Sequence, residues 1–244
     1  MSVQRRQQGW DRLGTDDPLW TVLAAPEARG NRWDEDDFFA TGRALVAAML
    51  DHAAELGLEV GRERALDFGS GVGRLTLALA EHVDEVWGVD IAPSMVRRAR
   101  DLNTYGTRVR FVVNHADDLG RFDSSTFDLA VSDKVIQHLH PKLGRLFLDE
   151  LVRVLRPGGL IIVQVPEQPT RTLRGRSHRL LGGALLGVAQ RIVLRYPAAM
   201  PLYGLPRVEV ERILSAAGAR VVDVEPEASI GEDWTSFRYY AVKG

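Results

Sequence analysis

Between Arg64 and Asp90 the chain reads Ala65-Leu66-Asp67-Phe68-Gly69-Ser70-Gly71-Val72-Gly73-Arg74, then a segment of helical spacing, then Val86-Trp87-Gly88-Val89-Asp90. A short apolar strand ends in an acid and opens into a loop with glycine at every second position. A helix follows, and the next strand also ends in an acid. This order is half of a nucleotide-binding α/β unit. Glycine has no Cβ and tolerates positive φ, so the loop can turn sharply and bring backbone close to a ligand. Asp90 stands where a carboxylate accepts hydrogen bonds from ribose hydroxyls. The dinucleotide fingerprint needs glycine at the first, third and sixth positions. Counted from Gly69, the sixth is Arg74. Asp67, just ahead of the loop, suits a ligand bearing an ammonium and is awkward beside a pyrophosphate.

On these residues the chain resembles the class I S-adenosylmethionine-dependent methyltransferases. Their first motif is an acid followed by Gly-x-Gly-x-Gly, and a second acid closes strand two. The rest of the chain agrees. From Glu63 onward, apolar strands alternate with helical segments: strands at 65–68, 85–89, 109–113, 127–132 and 160–165, with helices near 72–81, 93–105 and 142–155 between them. That alternation predicts a parallel sheet with helices on both faces. A helix over 207–217, a strand over 220–224 and a last strand over 236–242 complete the pattern. The loop between the last two strands is too short for a helical crossover, so they should pair antiparallel. The expected architecture is Rossmann-like: seven strands, mostly parallel, with an antiparallel last strand. Leu155-Arg156-Pro157-Gly158-Gly159 before strand five and Ala217-Gly218-Ala219 before strand six also resemble the family, which matches over about 35–166 and 206–243.

The organisation expected is an ordered N-terminal arm at 1–37, a methyltransferase domain at 38–244, and a cap-like insert at 168–206. The arm shows no clean periodicity but holds Trp10, Trp20 and Trp33, whose burial argues against disorder. It is read as irregular. Asp34 is placed to cap a helix from Glu35 to about Leu56.

Composition narrows the function. A net charge of −2 gives no reason to expect general affinity for nucleic acid or membrane, and the absence of cysteine removes thiolate nucleophiles, disulfides and zinc knuckles. Residues 1–10 carry no apolar signal region, and the longest uncharged run, 180–190, is too short to span a bilayer. A cytoplasmic protein is expected, its oligomeric state unread.

The resemblance implies S-adenosylmethionine as cofactor, lying across the carboxyl ends of strands one to four. Asp67 would face the methionyl ammonium, and Gly69, Ser70, Gly71 and Gly73 would flank the methionyl and ribose parts. Asp90 would take the ribose hydroxyls, with Ile91 and Met95 against the adenine. Many family members carry an acid near the adenine amine after strand three. Here His115 stands at that position, and Ala116 or Asp117 is expected to replace the contact. Asp133, after strand four, completes the cofactor set. The Asp/Asn-Pro-Pro-aromatic motif of enzymes that methylate nucleic-acid amines is absent. Val163-Gln164-Val165-Pro166 offers no Asp-Asn partner for a metal at Asp133, so no metal is expected.

Methyl transfer is an in-line displacement at an activated sulfonium carbon, and the protein mainly aligns donor and acceptor. A hydroxyl acceptor must also lose a proton. His138 is the candidate base, weighed against a packing role at a strand–helix junction. His140 is a candidate substrate contact. The stretch 168–208 holds seven arginines and no acid. Arg171, Arg174 and Arg176 are expected to grip an anionic group of the acceptor, unless these arginines pair with the acidic arm or stay solvated. The function expected is methylation of a small-molecule acceptor at oxygen. The alternatives are N- or C-methylation, or a domain that binds the cofactor without turnover.

Overall fold

The computed structural model describes residues 2–170, 172, 198 and 200–244. Its strands are β1 (Arg64–Phe68), β2 (Glu85–Asp90), β3 (Val109–Val113), β4 (Phe127–Ser132), β5 (Leu155–Pro169), β6 (Ala219–Pro226) and β7 (Trp234–Lys243). They form one sheet in the order β3-β2-β1-β4-β5-β7-β6. The pairings of β1 with β2 and β4, and of β2 with β3, are parallel; β7 runs antiparallel to both β5 and β6. The expected sheet, with its reversed final strand, is the one observed. By contacts the chain divides into two units, residues 1–116 with 127–131, and residues 117–126 with 132–244.

In the first unit, α4 (Arg74–Leu79) follows β1 and α5 (Pro93–Asp101) follows β2. The arm is not irregular. It forms α1 (Val3–Asp16) and α2 (Pro18–Val22), broken at Asp17 ahead of Pro18. Asp17 is buried and accepts from the backbone N–H of Trp20, Gly30 and Asn31, so one carboxylate holds the helix junction and the returning loop together. The single-sequence signal fails here because α1 is polar over most of its surface and buries little more than Leu13 and Gly14. Next comes α3 (Glu35–Glu55), capped by the Asp34 side chain as expected. It buries Phe38, Gly42, Val46, Met49 and Ala53 at helical spacing. Gly42 lies against the Arg74 carbonyl of α4, where any Cβ would collide. Leu19, Phe38, Val72, Ala92 and Met95 form a buried cluster against which Trp10, Val22 and Trp33 pack.

In the second unit, α6 (Pro141–Val154) precedes β5 and α7 (Arg207–Ala216) precedes β6. An Arg145–Glu209 ion pair links the two helices. The Arg156-Pro157-Gly158-Gly159 turn lies within the span of β5, with Gly158 at φ +79°. The strand also runs further than its apolar core predicts, because β7 pairs with it as far as Pro169 opposite Trp234. The expected insert therefore begins inside β5. Arg171, Arg174 and Arg176 lie outside the described residues. Among the described residues no helix is long and apolar enough to cross a membrane.

Candidate active site

In the first unit the loop after β1 is set by glycine. Gly69, Gly71 and Gly73 have φ of +82°, +53° and +90°, a region that penalises any side chain. The Val89 carbonyl at the end of β2 accepts from the N–H groups of Gly69 (2.7 Å) and Ser70 (3.0 Å), which folds the loop back over the strand tips. Asp90 then fixes its far side. Oδ2 accepts from Gly71 N (2.9 Å) and Oδ1 from Ala92 N (2.8 Å). Burial raises the Asp90 carboxyl above the ordinary carboxylate range, and backbone N–H bonds from Ala92, Gly71 and Ile91 pull against it. A carboxylate has about four acceptor positions, so these bonds orient Asp90 and leave it able to accept from a ligand.

Ser70 lies within this loop, 4% exposed, and its hydroxyl has no hydrogen-bond partner among the described residues. A buried hydroxyl without a protein partner is uncommon, and it leaves Ser70 able to bond to a water or a ligand. Gly88 on β2 makes the packing possible, since a Cβ there would press on Ser70 and the Phe111 ring. Asp67 is turned inward, 2% exposed, and accepts from Thr76 Oγ1 of α4 at 2.6 Å. Ile91 is half-buried, whereas Met95 is buried in the cluster beneath the arm. Arg74, the residue that breaks the dinucleotide fingerprint, is buried beside Thr41 of α3. After β3, Asn114 N donates to the Asp90 carbonyl (2.8 Å), and the Asn114 side chain folds over to Ala116 N (3.2 Å). His115 and Ala116 are exposed there.

In the second unit, Asp117 is exposed, whereas Asp133 is shut away. The Asp133 carboxylate pairs with Arg238 of β7 at 3.3 Å, and Arg238 also meets Glu225 (3.3 Å) and Glu227 (3.6 Å). Lys134 follows at φ +60°, unusual for a side chain of that size. Its N–H donates to Gln164 Oε1 (3.0 Å), and its ammonium donates to Ser229 O and Oγ (2.8 and 2.7 Å). Gln164 is fully buried and donates through Nε2 to Ser236 Oγ at 2.6 Å.

The geometry around His138 fixes its protons. Nδ1 lies 2.7 Å from the Pro201 carbonyl, which can only accept, so Nδ1 carries the hydrogen. Nε2, 3.1 Å from Gln137 Nε2, therefore accepts from that amide. Both ring nitrogens are engaged, and burial pushes the imidazole down to about 4, with the Lys134 charge lowering it further and the Pro201 bond opposing. Burial and these bonds together oppose protonation of the ring near neutrality. Gln137 is thereby oriented with Oε1 buried and without a partner among the described residues. Its backbone carbonyl accepts from Tyr203 N at 2.7 Å. His140 caps α6, its Nδ1 accepting from Lys142 N (3.3 Å), with its ring edge-on to Tyr203. Among the described residues no group of three or more acids and histidines is placed to hold a metal.

Sequence reasoning missed Gln137 and Arg238. Neither sits in a recognisable motif, and Arg238 reads as one more charge on a terminal strand. Gly88 had a signal, a glycine inside an apolar strand, which marks close approach of another group.

Residues 66–163 match a family model described as a methyltransferase domain. Those residues carry a methyltransferase domain, and the fold around them is one that solved methyltransferases share. Around this domain the solved structures agree in fold over nearly the whole chain. A magnesium protoporphyrin IX methyltransferase from Synechocystis, crystallised with S-adenosylhomocysteine, superposes with a TM-score of 0.64 at 18% identity, covering 99% of each chain. The cyclase SpnF superposes at 0.65 and 19% identity, over 99% of this chain and 96% of its own. Among curated sequences, a demethylmenaquinone methyltransferase of Clavibacter sepedonicus is 37% identical over 105 residues, 43% of this chain and 41% of its own. A 2-methyl-6-phytyl-1,4-hydroquinone methyltransferase of Synechocystis is 34% identical over 99 residues, 40% of this chain and 30% of its own. The matched part of the chain thus spans well under half the length of these relatives, and the likeness lies in the domain.

Proposed function

We propose that this chain transfers a methyl group from S-adenosylmethionine to an oxygen of a small-molecule acceptor. The observation that carries the reading is the loop from Gly69 to Gly73: three glycines at positive φ around a buried Ser70 hydroxyl that lacks a partner, closed by Asp90. The residues fit the cofactor. Asp90 would hold the ribose hydroxyls, Ser70 and the glycine backbone would flank the methionyl and ribose parts, and Ile91 would lie beside the base. Asp67 acts from within, holding Thr76 and with it the start of α4 beneath the loop. When bound, the sulfonium supplies a methyl group already activated toward a nucleophile.

The chain's own residues then orient. Alignment alone is worth up to about 7–11 kcal/mol in favourable cases. In the second unit, His138 holds the Gln137 amide so that Oε1 would accept from an acceptor O–H, whose proton would leave to solvent as the O–CH3 bond forms and the sulfonium becomes a thioether. The arginine-rich stretch 168–208 supports an anionic group on that acceptor, on its sequence alone. Relatives named for hydroquinone and ubiquinone-biosynthesis methylation support a hydroxylated aromatic acceptor. A second reading has the chain bind the nucleotide without transferring its methyl. It is favoured by the His138 geometry, which supplies no base near neutrality.

The test is incubation with methyl-tritiated S-adenosylmethionine and a metabolite extract. Label recovered in a small hydroxylated product supports transfer at oxygen. Binding of S-adenosylhomocysteine without label transfer to any fraction supports the second reading. Failure to bind S-adenosylhomocysteine removes both.

A further inference from the structure

Helix α5 follows the acid Asp90, and it starts without a cap of its own. Its N-cap position is Ala92, extended at φ −92° and ψ 114°, which supplies no side-chain bond to the first turn, and that turn carries no acid. Serine, threonine, aspartate or asparagine is preferred at such a position, because the side-chain oxygen takes the N–H of the second or third helical residue. Here the bond comes from 83 residues away. Asp11 of α1 accepts from Ser94 N through Oδ1 at 2.7 Å, and its carbonyl accepts from Ser94 Oγ at 2.9 Å. Ser94 is the second residue of α5, so Asp11 does the work of a capping side chain at residue 92, and its charge suits a helix N-terminus. Gly14, one turn further along α1, lets the two helices close, since a Cβ there would press on Ser94 Oγ and the Met95 side chain.

The cap holds the backbone that aims Asp90. Ala92 N, two residues before Ser94, donates to Asp90 Oδ1 at 2.8 Å, and Gly71 N donates to Oδ2 at 2.9 Å. The arm lies against both donors. Ala92 is fully buried in the cluster that includes Leu19 of α2, and Val22 at the end of α2 stands 2.7 Å from where a Cβ on Gly71 would be. A carboxylate fixed by two backbone N–H groups points only as well as those groups are placed. The first N–H groups of a helix have no partner within it, so a first turn without its cap frays. Fraying of α5 moves Ala92 N, and fewer chains then present Asp90 in its bonded orientation. Apparent affinity for a ligand of Asp90 falls by that same fraction.

We infer that Asp11 is a positioning residue for the nucleotide: from the N-terminal arm it caps α5 and so keeps Asp90 aimed at the ribose. This rests on the assignment of Asp90 to a ribose. It adds no contact with the ligand. It makes the affinity of a site within the matched residues 66–163 depend on a side chain well upstream of them.

The experiment measures binding of tritiated S-adenosylhomocysteine by equilibrium dialysis on the full chain, on Asp11→Ala, Asp11→Asn and Asp90→Ala, and on Asp11→Ala combined with Asp90→Ala. A cooperative melt verifies that each variant is folded. Asp11→Ala should weaken binding about fivefold, the scale of one lost cap. Asp11→Asn keeps the accepting oxygen and should stay within about twofold of the full chain. In the Asp90→Ala background the loss of Asp11 should cost less than about twofold, because the acid it positions is gone. A merely structural Asp11 would cost the same in both backgrounds, or nothing in either. Each of those results overturns the inference, as does an asparagine variant as weak as the alanine one. Linkage gives a second readout on the unsubstituted chain: saturation with S-adenosylhomocysteine should slow hydrogen exchange at the Ser94 amide about fivefold. Unchanged exchange there overturns the inference even where Asp11→Ala does not fold. Unchanged affinity of Asp90→Ala by itself overturns the ribose reading beneath, whatever Asp11 does.

Discussion

The two units solve the same problem, holding a loop at a strand tip, by opposite means. In the first, the loop after β1 is shaped by backbone: glycines at positive φ and N–H groups donating to Val89 and Asp90. In the second, the loop after β4 is shaped by side chains: Asp133 on Arg238, Lys134 on Ser229, Gln164 on Lys134, and His138 on Pro201. A backbone-made loop keeps its form if its surroundings change, and it needs glycine. A side-chain-made loop accepts many residue types but depends on partners far along the chain. The first arrangement suits a group common to many reactions, the second a group that varies between them.

The largest test of this contrast is Arg238→Met. It leaves Asp133 buried without its cation, and removing one partner of a buried pair costs about 3–5 kcal/mol. Chemical denaturation should show that loss, with much of it restored by pairing Arg238→Met with Asp133→Asn. A loss below about 1 kcal/mol would mean that the loop after β4 does not depend on the pair.

Next comes pH. His138 titrates near 4 in the folded chain and near 6.5 unfolded. Between those values the unfolded state binds the proton that the native state refuses, so stability falls as pH falls through this window, by up to roughly 3 kcal/mol. His138→Asn should flatten that part of the stability profile, measured by melting temperature from pH 7.5 to 4.5. A catalytic base would instead show its titration in the rate profile.

Asp90→Ala should weaken S-adenosylhomocysteine binding by about a hundredfold, as expected for losing two hydrogen bonds to a charged group. Calorimetry on the folded variant decides it, and unchanged affinity would end the ribose assignment. A smaller effect is expected for Ser229→Ala. Loss of one charge-assisted bond from Lys134 should cost about 1 kcal/mol or slightly more at this exposed site. Smallest is the joint neutralisation of Arg171, Arg174 and Arg176. It should raise the acceptor KM several-fold while kcat stays within about twofold, once label transfer has identified an acceptor. A fall in kcat alone would detach these arginines from acceptor binding.

The contrast also explains what could be read from the chain alone. Glycine spacing, strand-end acids and the alternation of strand and helix are local, so β1 to β4 and the reversed β7 were legible within a few residues. The helices of the arm were not, because α1 is held by tertiary bonds such as Asp11 to Ser94 rather than by an apolar stripe. The strand-end acids were legible as positions, but their protein partners were not. Asp67 points into the fold at Thr76, and Asp133 points at a cation 105 residues away. A side chain's orientation depends on its partner, and a partner on β7 leaves no trace near residue 133. Gln137 gains its meaning only from the tautomer that Pro201 imposes on its neighbour.

Lys134 shows how far such dependence reaches. A lysine in the left-handed region carries a backbone penalty of roughly 1–2 kcal/mol, which persists only while the surroundings enforce it. Here the enforcement is shared by its backbone N–H, held by the buried Gln164 that Ser236 fixes in turn, and by its ammonium, which donates to Ser229. The bend that starts the approach to Gln137 and His138 is therefore written in the C-terminal hairpin. An exchange there, distant in sequence and touching no ligand, would alter where those two side chains stand.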